Sequence, residues 1–229
     1  MSTLTTRPTE LTEPLPEPAI SWQASLLVII GTMLGANLAL WLLPSWLPTL
    51  ISDITSQQAA WHLARSSGVA AYLLIWLSTA LGLSITNRMA RVWPGGPTAF
   101  DLHQFTGLLS LAAAVFHALI LLGDDYIGYT LSQIAVPFAA VGYRPLSTGW
   151  GQLALYLAAV VSFSFYVKGR IGRKAWRLIH FASFLVFGLV TLHGLLAGTD
   201  TGLLWPMYAG AAVGVLFLTF YRIFVTAKP

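Results

Sequence analysis

The chain has no cysteine among its 229 residues. That absence excludes disulfides, thiolate catalysis, iron–sulfur ligation and covalent c-type haem attachment. Any metal centre must draw on His, carboxylate, Met or backbone donors. Charge is also scarce, at 9% of residues, where soluble domains carry roughly a quarter. A water-soluble fold of this length cannot hide a composition that is 56% hydrophobic, with a mean hydropathy of +0.73. The class that remains is a polytopic membrane protein. The net charge of +4 is too small for a nucleic-acid footprint. A Gly-rich dinucleotide fingerprint is missing, and no internal repeat stands out. Residues 1–20 are polar, Pro-rich and mildly acidic, and read as a disordered tail, not a signal peptide.

What is present is a series of long apolar runs. A membrane span needs about 20 such residues. Six segments qualify: 24–46, 67–86, 102–123, 149–167, 177–198 and 203–225. The expected fold is all-α, a six-helix membrane bundle over residues 21–229. Ten of the twelve Lys and Arg residues then lie on one side: Arg7, Arg88, Arg91, Lys168, Arg170, Arg173, Lys174, Arg177, Arg222 and Lys228. Only Arg65 and Arg144 lie on the other. The positive-inside rule places both termini in the cytoplasm, in a bacterial plasma membrane. Most tryptophans, Trp22, Trp61, Trp150 and Trp205 among them, fall near span ends, where interfacial anchors belong.

Five histidines are present, and four lie inside two of these spans. Ionisable groups within a span are costly and point to function. His103 and His117 are in the third span, His180 and His193 in the fifth. Both spans run from inside to outside, so His103 and His180 share the inner depth and His117 and His193 the outer. Along each helix the histidines are roughly 21 and 19.5 Å apart at about 1.5 Å per residue. Two facing helices with depth-matched histidines suit two bis-His haems, since each iron takes one neutral imidazole on each face. Gly107, one turn after His103, and Gly188 and Gly194, near His193, would let a porphyrin approach the backbone.

Rotation divides the two helices. A 14-residue step returns to within roughly 40° of the same face, and a 13-residue step misses by roughly 140°. His180 and His193 therefore need either a local irregularity, with Gly188 as its expected place, or a different angle of approach. The alternative is that the histidines bond neighbouring carbonyls and ligate nothing, or serve protonation in a scaffold or transporter. A zinc or copper site fits less well, because two ligands per depth cannot close a tetrahedron.

The segments LHQFTGLLSLAAAVFHALI and IHFASFLVFGLVTLHG carry His-x13-His and His-x12-His. With WHLARSSGVAAYLL and WRLIH, they make residues 60–225 resemble the ferric reductase-like transmembrane domain family. That family is shared by NADPH oxidases, ferric reductases and the bacterial haem subunit of the periplasmic methionine sulfoxide reductase system. The resemblance implies two b-haems between helices 3 and 5. His103 and His180 would hold the inner haem, and His117 and His193 the outer. Electrons would pass from a cytoplasmic flavoprotein or membrane quinol to an outer acceptor, such as ferric iron or a redox partner protein. The oxidases' fused flavin and nicotinamide domain has no counterpart here. Leu121 stands where they carry a further histidine, so superoxide production is not carried over.

Other residues have two readings each. Arg65 is a haem-propionate or acceptor contact, or an interfacial arginine that snorkels. His62, just before the second span, is a surface residue or helps hold a metal acceptor. Arg173, Lys174 and Arg177 set topology and touch lipid, or dock an acidic donor. The segment 124–148, with Asp124, Asp125, Tyr126, Tyr129, Tyr143 and Arg144, is long for a bundle connection and caps the outer haem or packs at the interface. Asp101 is an expected N-cap of the third span.

Overall fold

A computed structural model describes residues 21–46 and 59–226. The tail expected over residues 1–20 and most of the first connection lie outside them. The described residues form helices, with no strand among them. The main elements are α1 (Trp22–Trp46), α2 (Ala59–Thr86), α3 (Gly96–Ile120), α4 (Pro145–Ser164), α5 (Arg173–Phe181), α6 (Ser183–Ala197) and α7 (Thr201–Tyr221). Among the described residues five helical segments are long and apolar enough to cross a membrane: Ala59–Thr86, Gly96–Gly123, Pro145–Ser164, Arg173–Ala197 and Thr201–Phe224. Helices satisfy their backbone groups internally, which apolar surroundings require. Their hydroxyl side chains follow the same rule: Thr79, Ser84, Thr106 and Thr219 each donate to the carbonyl four residues earlier.

The helices match five of the expected spans and start two to eight residues sooner. The largest extension is in α2, which places His62 and Arg65 on the helix. Ala64 is buried there, and its carbonyl is engaged by α3, so tertiary contact prolongs a helix that the polar residues alone would have ended. α3 likewise begins at Gly96, with Pro97 in its first turn, a position where the missing N–H costs nothing. Asp101 therefore sits inside α3 and caps nothing.

Small side chains let the helices approach. Ala99, Thr106, Ser110 and Ala112 are buried on α3, and Ala154 on α4. α2 and α3 pack along their length, α4 packs on α6, and α1 lies against α3. Ser25 of α1 is hydrogen-bonded to Tyr166 at 2.7 Å. The main apolar cluster lies where α2, α6 and α7 meet, and contains Tyr72, Leu83, Phe187, Tyr208, Ala211 and Val215. The outer surfaces of the helices are apolar: Leu203, Val213 and Phe217 of α7 are all exposed. These helices define a membrane protein whose exterior contacts lipid.

The connection 124–144 folds over one end of this bundle. Thr130 and Gln133 form a capping box on a short helix, Leu131–Ala135. Gln152 of α4 donates to the Gln133 and Ile134 carbonyls and accepts from the Phe138 N–H. The Phe138 ring fills the space where a Cβ on Gly149 would be. Tyr143 donates from its hydroxyl to the Ala197 carbonyl at 2.7 Å, and Arg144 bonds the Leu196 carbonyl.

Candidate functional site: two stacked histidine pairs

The four intramembrane histidines meet in the two pairs that depth alone suggests. The ring centres of His103 and His180 are 6.0 Å apart with planes at 78°. Those of His117 and His193 are 6.2 Å apart at 75°. Two imidazoles on opposite faces of one metal ion have nearly this spacing. A metal–nitrogen bond of about 2.0 Å plus about 1.1 Å from nitrogen to ring centre, taken twice, comes to about 6.2 Å. Among the described residues no three His, Asp or Glu side chains converge. Each donor set among the described residues thus has two members, too few to close a tetrahedral metal site by themselves.

Hydrogen bonds orient three of the rings. His103 donates from Nδ1 to the Ser78 carbonyl at 2.7 Å, His117 to the Ala64 carbonyl at 2.6 Å, and His193 to the Ser147 carbonyl at 2.8 Å. A ring that donates from Nδ1 keeps its Nε2 lone pair for a metal, the usual arrangement around ligating histidines. His180 has no such carbonyl partner among the described residues. Its ring stacks instead on Trp176, with centres 5.3 Å apart at 30°. Trp176 in turn meets Phe165 edge-on. The Trp176 indole Nε1 is buried without a partner among the described residues.

The irregularity required between His180 and His193 is present, but not at Gly188. It is the break at Ala182, where α5 ends and α6 begins, with the Ala182 N–H turned to the Ile179 carbonyl at 3.0 Å. α6 continues as helix through Gly188, next to the buried Val186 and Phe187. His180 and His193 thus lie on opposite sides of a one-residue interruption within the span-length segment Arg173–Ala197.

A cavity of about 1040 Å³ adjoins His117 and His193, and Tyr72, Tyr208 and Gly68 also line it. Its size reaches the upper end of ligand pockets, about 300–1,000 Å³. At its mouth Arg65 forms an ion pair with Asp200, and its guanidinium lies 4.0 Å over the Trp61 ring. Arg65 thus lines the cavity beside His117 and His193, but with its charge partnered by an aspartate that spacing did not reveal. Asp124, 2% exposed, also lines it. One Asp124 oxygen accepts from the Tyr126 and Ile127 N–H groups, and the other has no partner among the described residues. His62 packs edge-on against Trp61.

The glycines noted from the sequence divide. A Cβ on Gly107 would lie 3.2 Å from Ser78 Oγ, so Gly107 faces α2. A Cβ on Gly188 would meet no atom within 4 Å, and one on Gly194 would strike the Tyr208 hydroxyl. Three glycines that the sequence did not single out face the histidines directly: Gly68, Gly82 and Gly151. Only the packing register separates these from the other glycines of the chain.

Fold and site together define a helical membrane protein with two histidine pairs stacked along its bundle. Its curated relatives include the magnetosome protein MamZ of Magnetospirillum gryphiswaldense, 28% identical over 155 residues, and MamZ of Paramagnetospirillum magneticum, 27% identical over 155 residues. Each alignment takes in 66% of this chain and 23% of the relative, so the chain spans under a quarter of the length of these relatives. No protein-family model matches the chain, and no solved structure matches it.

Proposed function

We propose that this chain is a di-haem b cytochrome of the ferric reductase-like type that carries electrons across a bacterial membrane. The supporting observation is the spacing and pose of the two histidine pairs. Both have the ring separation that axial ligation of one iron requires, and three of the four rings hold Nδ1 in a carbonyl bond. When bound, haem supplies one-electron redox chemistry.

In this reading α1 is a sixth span, and the Lys and Arg bias puts the His103–His180 pair on the cytoplasmic side. His103 and His180 would hold the inner haem, and His117 and His193 the outer. Two imidazoles per iron leave no open coordination position, so the chain favours electron passage over oxygen binding at the metal. The electron donor is a flavoprotein or quinol on the side of Arg173, Lys174 and Arg177, all exposed. The acceptor, ferric iron or a redox partner, meets the opposite end, where Arg65, Asp200 and the 124–144 connection surround the cavity mouth. A second reading makes the chain the haem-bearing part of a larger redox assembly. The match to a minor part of two magnetosome proteins supports it.

The test is a dithionite-minus-oxidised spectrum of the purified chain with haem quantitation. The expected result is a reduced b-type α band and about two haems per chain, one for each bis-His pair. Colourless protein from haem-replete cells would overturn the proposal.

A further inference from the structure

One geometric device recurs three times around the histidines. Each carbonyl that accepts from a histidine Nδ1 belongs to a residue four positions before a glycine: Ala64 before Gly68, Ser78 before Gly82, Ser147 before Gly151. In an α-helix the carbonyl of residue i points at the N–H of residue i+4. The side chain at i+4 therefore flanks that carbonyl and shields its second lone pair. Glycine has no Cβ there, and the imidazole occupies the vacant space. A Cβ on Gly151 would lie 2.7 Å from His193 Nδ1, one on Gly68 3.0 Å from His117 Nδ1, and one on Gly82 3.1 Å from His103 Cε1.

We propose that Gly68, Gly82 and Gly151 are positioning residues for the redox centres: each opens a helix carbonyl to one imidazole and so fixes that ring's tautomer and rotation. The inference rests on the di-haem reading above. Close helix packing alone would explain a small residue at these positions. It does not explain why the space is filled each time by a histidine ring hydrogen-bonded one helical turn back. An alanine at any of the three pushes the ring away from its carbonyl. The Nδ1–H then loses its acceptor, the ligand becomes less basic, and its ring plane turns. The device is local, so each substitution should act on one haem only.

The experiment uses the full chain purified in detergent, with Gly151→Ala, Gly68→Ala, Gly82→Ala and, as a control, Gly210→Ala, where a new Cβ meets nothing within 4 Å. Haem content, the low-spin electron paramagnetic resonance signals and the midpoint potential of each haem are read, with size-exclusion elution reporting the fold. Gly151→Ala, with the shortest contact, should halve the haem content by emptying the His117–His193 site. Gly68→Ala should shift the resonance and raise the potential of that same haem. Gly82→Ala should do so, less strongly, at the His103–His180 haem. Gly210→Ala should match wild type. Wild-type signals and potentials in all three variants would overturn the proposal, as would equal disturbance of both haems by any folded variant. If Gly151→Ala does not fold, the milder Gly68 and Gly82 variants decide. A wild-type chain that binds no haem refutes the di-haem reading itself, an outcome distinct from either.

Discussion

The two histidine pairs have nearly the same ring geometry and different surroundings. His117 and His193 both donate to helix carbonyls, and the 124–144 connection and the Arg65–Asp200 ion pair lie over their end. In the other pair only His103 has a carbonyl acceptor. His180 is held by the face of Trp176 and sits just before the Ala182 break, one turn from the exposed Arg177. The comparison teaches that ligand spacing and ligand electronics are set separately. Spacing follows from helix packing, whereas electronics follow from what lies behind each ring. A ring that donates from Nδ1 is the more basic ligand and stabilises ferric iron. In the di-haem reading the cations of α5 would widen the difference between the pairs, because positive charge favours the reduced state on the His180 side while the paired carbonyl bonds favour the oxidised state on the other.

The largest effect is expected from removing a ligand. His193→Ala should abolish the haem of its own pair and spare the other, so that haem content falls by half in a pyridine haemochrome assay. Equal loss of both would show that the pairs are not independent. Next in size, Trp176→Ala removes the ring on which His180 stacks. It should lower thermal stability by about 2 kcal/mol, for a partly buried tryptophan, and broaden the resonance of the His103–His180 haem alone. A redox titration of the wild type should resolve two potentials. The lower one should disappear with His193→Ala, and the opposite assignment would reverse the argument from carbonyl bonds. The smallest effect belongs to Arg65→Gln. Both partners of its ion pair are about one-third exposed, so its loss should cost only about 0.5 kcal/mol. The potential of the His117–His193 haem should fall, and that of the other pair should not move.

Much of this arrangement was legible in the sequence. The five long apolar helices follow from hydropathy, because length and apolarity are properties of a run of residues. The histidine pairs follow from depth along two spans that run in the same direction. What was not legible depends on neighbours in space. The first turns of α2 fall outside the expected span because His62 and Arg65 lower the hydropathy there, and hydropathy does not show that His117 uses the Ala64 carbonyl. Gly188 is the flexible residue the sequence offers between the two histidines, yet the interruption lies at Ala182, and α6 continues through Gly188 beside the buried Val186 and Phe187. Asp101 reads as a cap for a helix that begins at residue 102, but α3 begins at Gly96 and encloses it. Asp200 was passed over because an ion pair between α2 and the start of α7 leaves no mark in local spacing.

The sequence by itself determined that this is a helical membrane protein with four histidines at two depths, because composition, periodicity and charge bias are one-dimensional properties. Only the tertiary structure decided which carbonyls His103, His117 and His193 meet, which glycines make room for them, and that His180 stacks on Trp176 instead. Those are matters of register between helices distant in sequence, and register is set by packing, which no single segment contains.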